Sequence, residues 1–119
     1  MNVWLLLGAI SGFLAVAAGA FGAHALQSRL DANSLSIFQT AAQYHLVHSV
    51  AIVAAALAAA QERKPAAIAA LLFTLGIVLF SGSLYYLVLA RSNALVLLTP
   101  AGGLLFLAGW AALAFAAFS

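Results

Sequence analysis

The sequence predicts an all-α fold, a four-transmembrane-helix bundle, in an integral membrane protein of one domain spanning residues 1–119. Two observations carry this. The 119-residue chain is 67% hydrophobic and only 5% charged, where a soluble domain carries about 25% charged residues. Its charged side chains are Arg29, Asp31, Glu62, Arg63, Lys64 and Arg91. They leave four uncharged segments, each supplying roughly the 20 apolar residues that cross a bilayer. The lipid bilayer is thus the first partner. A net charge of +2 with no basic stripe excludes nucleic acid. The absence of cysteine excludes disulfides, iron–sulfur clusters and thiolate metal sites.

The first helix is expected over residues 3–24. No Lys or Arg precedes its apolar run, which is long for a signal sequence, so it reads as a retained span. Gly8, Gly12, Ala15, Gly19 and Gly22 fall on one face. Gly8 and Gly12 form a GxxxG pair that lets a second backbone approach closely, and packing within the chain is the favoured use. His24 follows at the headgroup level. In the loop after it, Asn33 or Ser34 is the expected N-cap. The leucines around it suggest a stretch lying along the interface before the chain enters the membrane.

The second helix, residues 34–61, is the one the others are organised around. Its segment from Gln39 to Ser49 holds Gln39, Gln43, Tyr44, His45, His48 and Ser49, followed by Val50–Ala60, which has no polar side chain. About 27 residues exceed the hydrocarbon thickness, so the polar stretch is expected in the outer part of the span. At 100° per residue, Gln39 and Gln43 share one side, Tyr44 and His48 a second, and His45 and Ser49 a third. Polar groups in hydrocarbon are costly unless paired, so this stretch should face other helices or water. The expected cluster joins His48, Tyr44 and Gln43 to helices 1, 3 and 4.

The third helix is expected over residues 65–90, with Pro65 in its first turn. Ser81 and Ser83 interrupt its apolar course and can bond to a neighbour. Tyr85 and Tyr86 lie where an aromatic belt belongs. The fourth helix is expected over residues 94–118, with a kink or restart at Pro100. Gly102 and Gly103 allow close backbone contact there. Trp4 and Trp110 are belt candidates, Trp110 being deep enough to pack internally. Four spans put both termini on one side. The basic residues divide evenly between the sides, and the Arg63–Lys64 pair tilts the assignment toward cytoplasmic termini.

Four polar islands together resemble a known family. They are Gly19-Ala-Phe-Gly-Ala-His24, the Gln39–Ser49 stretch, Leu79-Phe-Ser-Gly-Ser-Leu-Tyr85, and Leu98-Thr-Pro-Ala-Gly-Gly103 with Ala108-Gly-Trp110. Their order and spacing resemble the transmembrane protein 256 family, which includes small bacterial inner-membrane proteins and is catalogued as a domain of unknown function. The resemblance implies a four-span membrane protein and no activity.

Three functional classes follow. The first is a structural or accessory bundle with a buried polar cluster on helix 2, drawn from His24, Gln39, Gln43, Tyr44, His45, His48, Ser49, Ser81 and Ser83. The alternative is a small transporter or channel for a neutral or weakly basic solute, working as a dimer. The acids Asp31 and Glu62 lie in loops, so His45 and His48 would have to carry any proton. The third, a metal or haem site, is disfavoured. His45 and His48 are one turn apart on one helix, and His24 falls level with about Ile37. No catalytic residue, metal or cofactor is therefore assigned, and no enzyme activity is expected. Further copies of the chain and a larger membrane complex remain open as partners.

Overall fold

The computed structural model describes residues 1–119. Four helices, α1 (Val3–Leu26), α2 (Ala32–Ala60), α3 (Lys64–Leu89) and α4 (Leu98–Ala116), are each long and apolar enough to cross a membrane. They pack in sequence order into a bundle measuring 48 × 26 × 19 Å. α2 is the most enclosed and α1 the least, so α2 is the axis on which the rest is hung.

The turns explain the boundaries. Asp31 caps α2, its carboxylate accepting from the Ser34 N–H at 2.7 Å, so the helix begins at Ala32 and neither Asn33 nor Ser34 is the cap. No separate interfacial stretch forms, because α1 runs on to Leu26 and α2 starts almost at once. Leu26, Leu30 and Ile37 instead pack around Phe38 and Ala23. α2 closes in a Schellman turn. The Glu62 N–H bonds the Ala59 carbonyl at 3.0 Å and the Arg63 N–H bonds the Ala58 carbonyl at 3.3 Å. Glu62 takes the left-handed conformation this requires, with φ 63°. Arg63 then reaches across to the end of α4, donating to the carbonyls of Ala116 and Ser119, where a cation complements the helix dipole.

Pro65 lies in the first turn of α3. Pro100 lies in the first turn of α4, which starts at Leu98 rather than Ala94. It opens that helix and does not kink it, because its missing N–H falls among the groups that have no intrahelical partner.

Between helices in lipid, close packing replaces the hydrophobic drive. The small face of α1 lies along α2. A Cβ on Gly8 would meet Val53 Cγ2 at 2.9 Å, while Gly12, Gly19 and Gly22 face Ser49, Ala42 and Phe38. The α3–α4 seam is a reciprocal exchange of rings and glycines. Phe73 fills the space at Gly109, Phe106 that at Gly76, and the backbone of Phe80 lies directly against Gly102. Gly103 has only a distant contact with Phe80. The common core is alanine-rich, with Ile52, Phe73, Ile77 and Phe106 as its large members.

Two helices contain a π-helical turn, Ala17–Gly22 in α1 and Ile77–Ser81 in α3. One extra residue in a turn sets everything after it back by about 100° around the axis. In α3 this brings Tyr85 inward, off the belt position, while Tyr86 stays exposed.

Candidate functional site: a polar chain at the middle of the bundle

His45 and His48 lie at the middle of α2, whose 29 residues run from Ala32 to Ala60. Charged groups mark both ends, Arg29, Asp31 and Arg91 at one and Glu62, Arg63 and Lys64 at the other. Along the helix the histidines thus lie midway between these charged ends. Both are buried, and they point to different neighbours.

His45 faces α1 and α3. Its Nδ1 lies 3.0 Å from the Tyr85 hydroxyl and its Nε2 lies 3.1 Å from Ser11 Oγ. Ser11 Oγ in turn lies 2.6 Å from Ser49 Oγ, and Ser49 donates back to the His45 carbonyl at 2.7 Å. A carbonyl can only accept, and each hydroxyl has one proton. Ser49 therefore gives its proton to the carbonyl and accepts from Ser11. Ser11 then accepts from His45, so Nε2 bears the imidazole proton and Nδ1 accepts from Tyr85. The four bonds run in one direction: Tyr85 to His45 to Ser11 to Ser49 to the α2 backbone.

His48 faces α4 with the opposite tautomer. Its Nδ1–H donates to the Tyr44 carbonyl at 2.8 Å. Its Nε2 accepts the indole N–H of Trp110 at 3.1 Å. The ring lies parallel to Phe106 with centroids 3.6 Å apart, and Phe73 and Trp110 close round it. An indole can only donate, so His48 is held neutral.

Two serines of α3 complete the cluster. Ser81 donates to the Ala41 carbonyl of α2 at 2.8 Å, and Ser83 bonds both the Phe80 carbonyl and the Thr99 hydroxyl of α4. No buried side-chain nitrogen or oxygen lacks a partner.

The structure thus gathers His45, His48, Ser49, Ser81 and Ser83, and draws in Tyr44 through its carbonyl and its half-exposed ring. It leaves out three of the expected members. His24 is exposed at the end of α1, where Gly22 faces Phe38, and it does not approach the other histidines. Gln39 and Gln43 are exposed, because the α1 glycines hold Ala42 and Ser49 against α1 and turn the amides outward. No three His, Cys, Asp or Glu side chains come together in a metal-binding group. Sequence reasoning missed Ser11, Thr99 and the inward turn of Tyr85. Ser11 had a signal: it is the lone hydroxyl in α1 and the lone polar side chain there before His24.

Two shallow grooves reach this cluster from the side. One of about 230 Å³ between α1 and α3 is lined by Ser11, His45 and Thr74. Another of about 590 Å³ beside α4 is lined by Tyr44, His48, Phe80, Pro100 and Trp110.

Four apolar helices joined at mid-depth by self-paired polar side chains define a multi-pass membrane bundle. The chain belongs to the family described as "Protein of unknown function (DUF423)", whose profile matches residues 18–103. It is 46% identical over 117 residues to a UPF0382 membrane protein of Haemophilus influenzae, covering 98% of this chain and 94% of that one. It is 44% identical over 110 residues to the UPF0382 inner membrane protein YgdD of Escherichia coli, covering 90% and 82%. It is 39% identical over 112 residues to the UPF0382 membrane protein YwdK of Bacillus subtilis, covering 92% and 91%. These relatives span the same four-helix length, and the family is the one the polar islands resemble. No solved structure matches the chain.

Proposed function

We propose that the chain is a non-catalytic structural or accessory bundle of the bacterial inner membrane, and that its midplane cluster fixes how the helices pack. The observation that carries this is the closed direction of the His45 chain. Ser11 and His45 are spaced like a nucleophile and its base, 3.1 Å apart. The proton, however, sits on the histidine and points at the serine, the reverse of what a general base needs. The third member is the Tyr85 hydroxyl rather than a carboxylate. A solute or substrate site is marked by buried polar atoms left without a partner, and here every buried side-chain nitrogen and oxygen has one within the chain.

The likeness to the inner membrane protein YgdD of Escherichia coli supports the inner membrane. The Arg63–Lys64 pair, on the same side as both termini, supports cytoplasmic termini. A C-terminal fluorescent-protein fusion should therefore glow, and a C-terminal alkaline phosphatase fusion should stay inactive.

The second reading, a small transporter or channel for a neutral or weakly basic solute, rests on one feature. His45 sits at mid-depth beside a lateral groove. It can take a proton on Nδ1 if the Tyr85 hydroxyl turns round, whereas His48 cannot without facing the Trp110 N–H donor to donor. Purified protein in vesicles loaded with a pH-sensitive dye separates the two. The accessory reading expects proton and methylamine fluxes equal to those of empty vesicles. A flux abolished by His45→Ala would overturn it.

A further inference from the structure

We propose that the exposed face of α2 bearing Gln39 and Gln43 is the interface with a second copy of this chain, in the same orientation and related by a two-fold axis along the membrane normal. Taking the middle of α2 as the midplane, Gln43 lies about 5 Å from it and Gln39 about 11 Å. Both fall inside a hydrocarbon half-thickness of about 15 Å. Both side chains are exposed, and neither amide has a hydrogen-bond partner within the chain. A free carboxamide in acyl chains is costly, and from Gln43 the headgroups are out of reach. Something polar must therefore meet these amides.

The shape and chemistry of the face select the occupant. The amides border a groove of about 450 Å³ whose other walls include Gly19, Ala20, Ala42 and Leu46. Small residues there let a partner helix approach closely, and the groove is wide enough to take its Leu46. A carboxamide is both donor and acceptor, so it complements itself. A two-fold axis along the normal makes the interface isologous and sets Gln43 against Gln43 and Gln39 against Gln39, one turn apart. The other faces of α2 meet α1, α3 and, through Tyr44 and His48, α4, so the bundle keeps its internal contacts when paired. The inference holds whatever the function of the bundle.

The chain contains no cysteine, so single cysteines can be added to the otherwise native protein. Leu46→Cys borders the amides, and Leu107→Cys lies on the lipid face of α4, 67% exposed. Oxidation in membranes of an expressing bacterium should convert Leu46→Cys to a species of twice the 12.2 kDa chain mass and leave Leu107→Cys monomeric. Adding Gln39→Leu with Gln43→Leu should cut the cross-linked fraction by about tenfold, each lost interhelical amide pair costing a few-fold in association. Because both glutamines are exposed, the melting temperature of the monomer in detergent should hold. Equal cross-linking at both positions overturns the proposal. So does a Leu46→Cys product of any other mass, which would indicate a different membrane protein on this face, or a dimer indifferent to the loss of both amides.

Discussion

The Trp110 indole donates its N–H to His48 Nε2 across 3.1 Å, tying α4 to the centre of α2. Because the other ring nitrogen is committed to the Tyr44 carbonyl, His48 has no proton to gain and none to give. It serves as a flat, satisfied wedge between Phe106, Phe73 and Trp110. His45, three residues earlier, has the opposite tautomer and ties α2 to α1 and α3. Together the two rings connect α2 to all three other helices.

The direction of the His45 chain makes Ser11 and Ser49 energetically dependent. Ser11→Ala leaves the His45 N–H without an acceptor in hydrocarbon, at a cost of about 1–2 kcal/mol. Ser49→Ala removes the acceptor for Ser11. A double-mutant cycle read by detergent or denaturant unfolding should give a coupling of about 0.5–1.5 kcal/mol. Additive losses would mean the two hydroxyls do not share a proton.

The glycines of α4 should differ sharply. Gly102→Ala drives a methyl into the Phe80 backbone, which cannot move aside, and Gly109→Ala puts one 2.6 Å from the Phe73 ring. Both should prevent accumulation of folded protein. Gly103→Ala meets Phe80 only at 4.0 Å and should express as the native chain does, gaining helix propensity. Expression with size-exclusion profiles reads all three.

Glu62 occupies a left-handed position for which glycine is the usual choice. Glu62→Gly should raise stability by about 0.5–1 kcal/mol, since the side chain makes no hydrogen bond there and the conformational strain disappears. Thermal unfolding in detergent reads the gain directly.

The Ser34 N–H holds the Asp31 carboxyl below its ordinary value of 3.8. A carboxyl lowered in the folded state contributes stability above its unfolded value, and that contribution is lost as pH falls through the folded one. The melting temperature should decline as acid is added below about pH 4. Asp31→Asn keeps an N-cap oxygen and removes this part of the decline. Asp31 is fully exposed, so the effect should be small and should shrink further in salt.

How far the sequence reveals this architecture depends on the kind of information involved. The four spans are legible because charge is excluded from hydrocarbon, and Arg29 to Arg91 punctuate the chain accordingly. The glycine face of α1 is legible because small residues recur at helical spacing. Orientation around each helix is harder. Gln39 and Gln43 look like members of an inner cluster by polarity alone, yet the close fit of Ala42 and Ser49 to α1 turns them out. Tyr85 reads as a belt residue by its place near the helix end, but the wide turn at Ile77–Ser81 rotates it toward His45. The depth of His45 depends on where α2 begins, and the Asp31 cap moves that point two residues earlier than the Ser34 start. Each of these rests on a neighbour's shape, which no single segment records.

The claim that the midplane cluster is a packing device is tested most directly by unfolding His48→Leu beside the native chain in detergent. Leucine fills much of the ring's space but strands the Trp110 N–H and gives up the stack on Phe106. The account predicts a loss of about 2 kcal/mol, seen as a lower melting temperature. An unchanged melting temperature would contradict it.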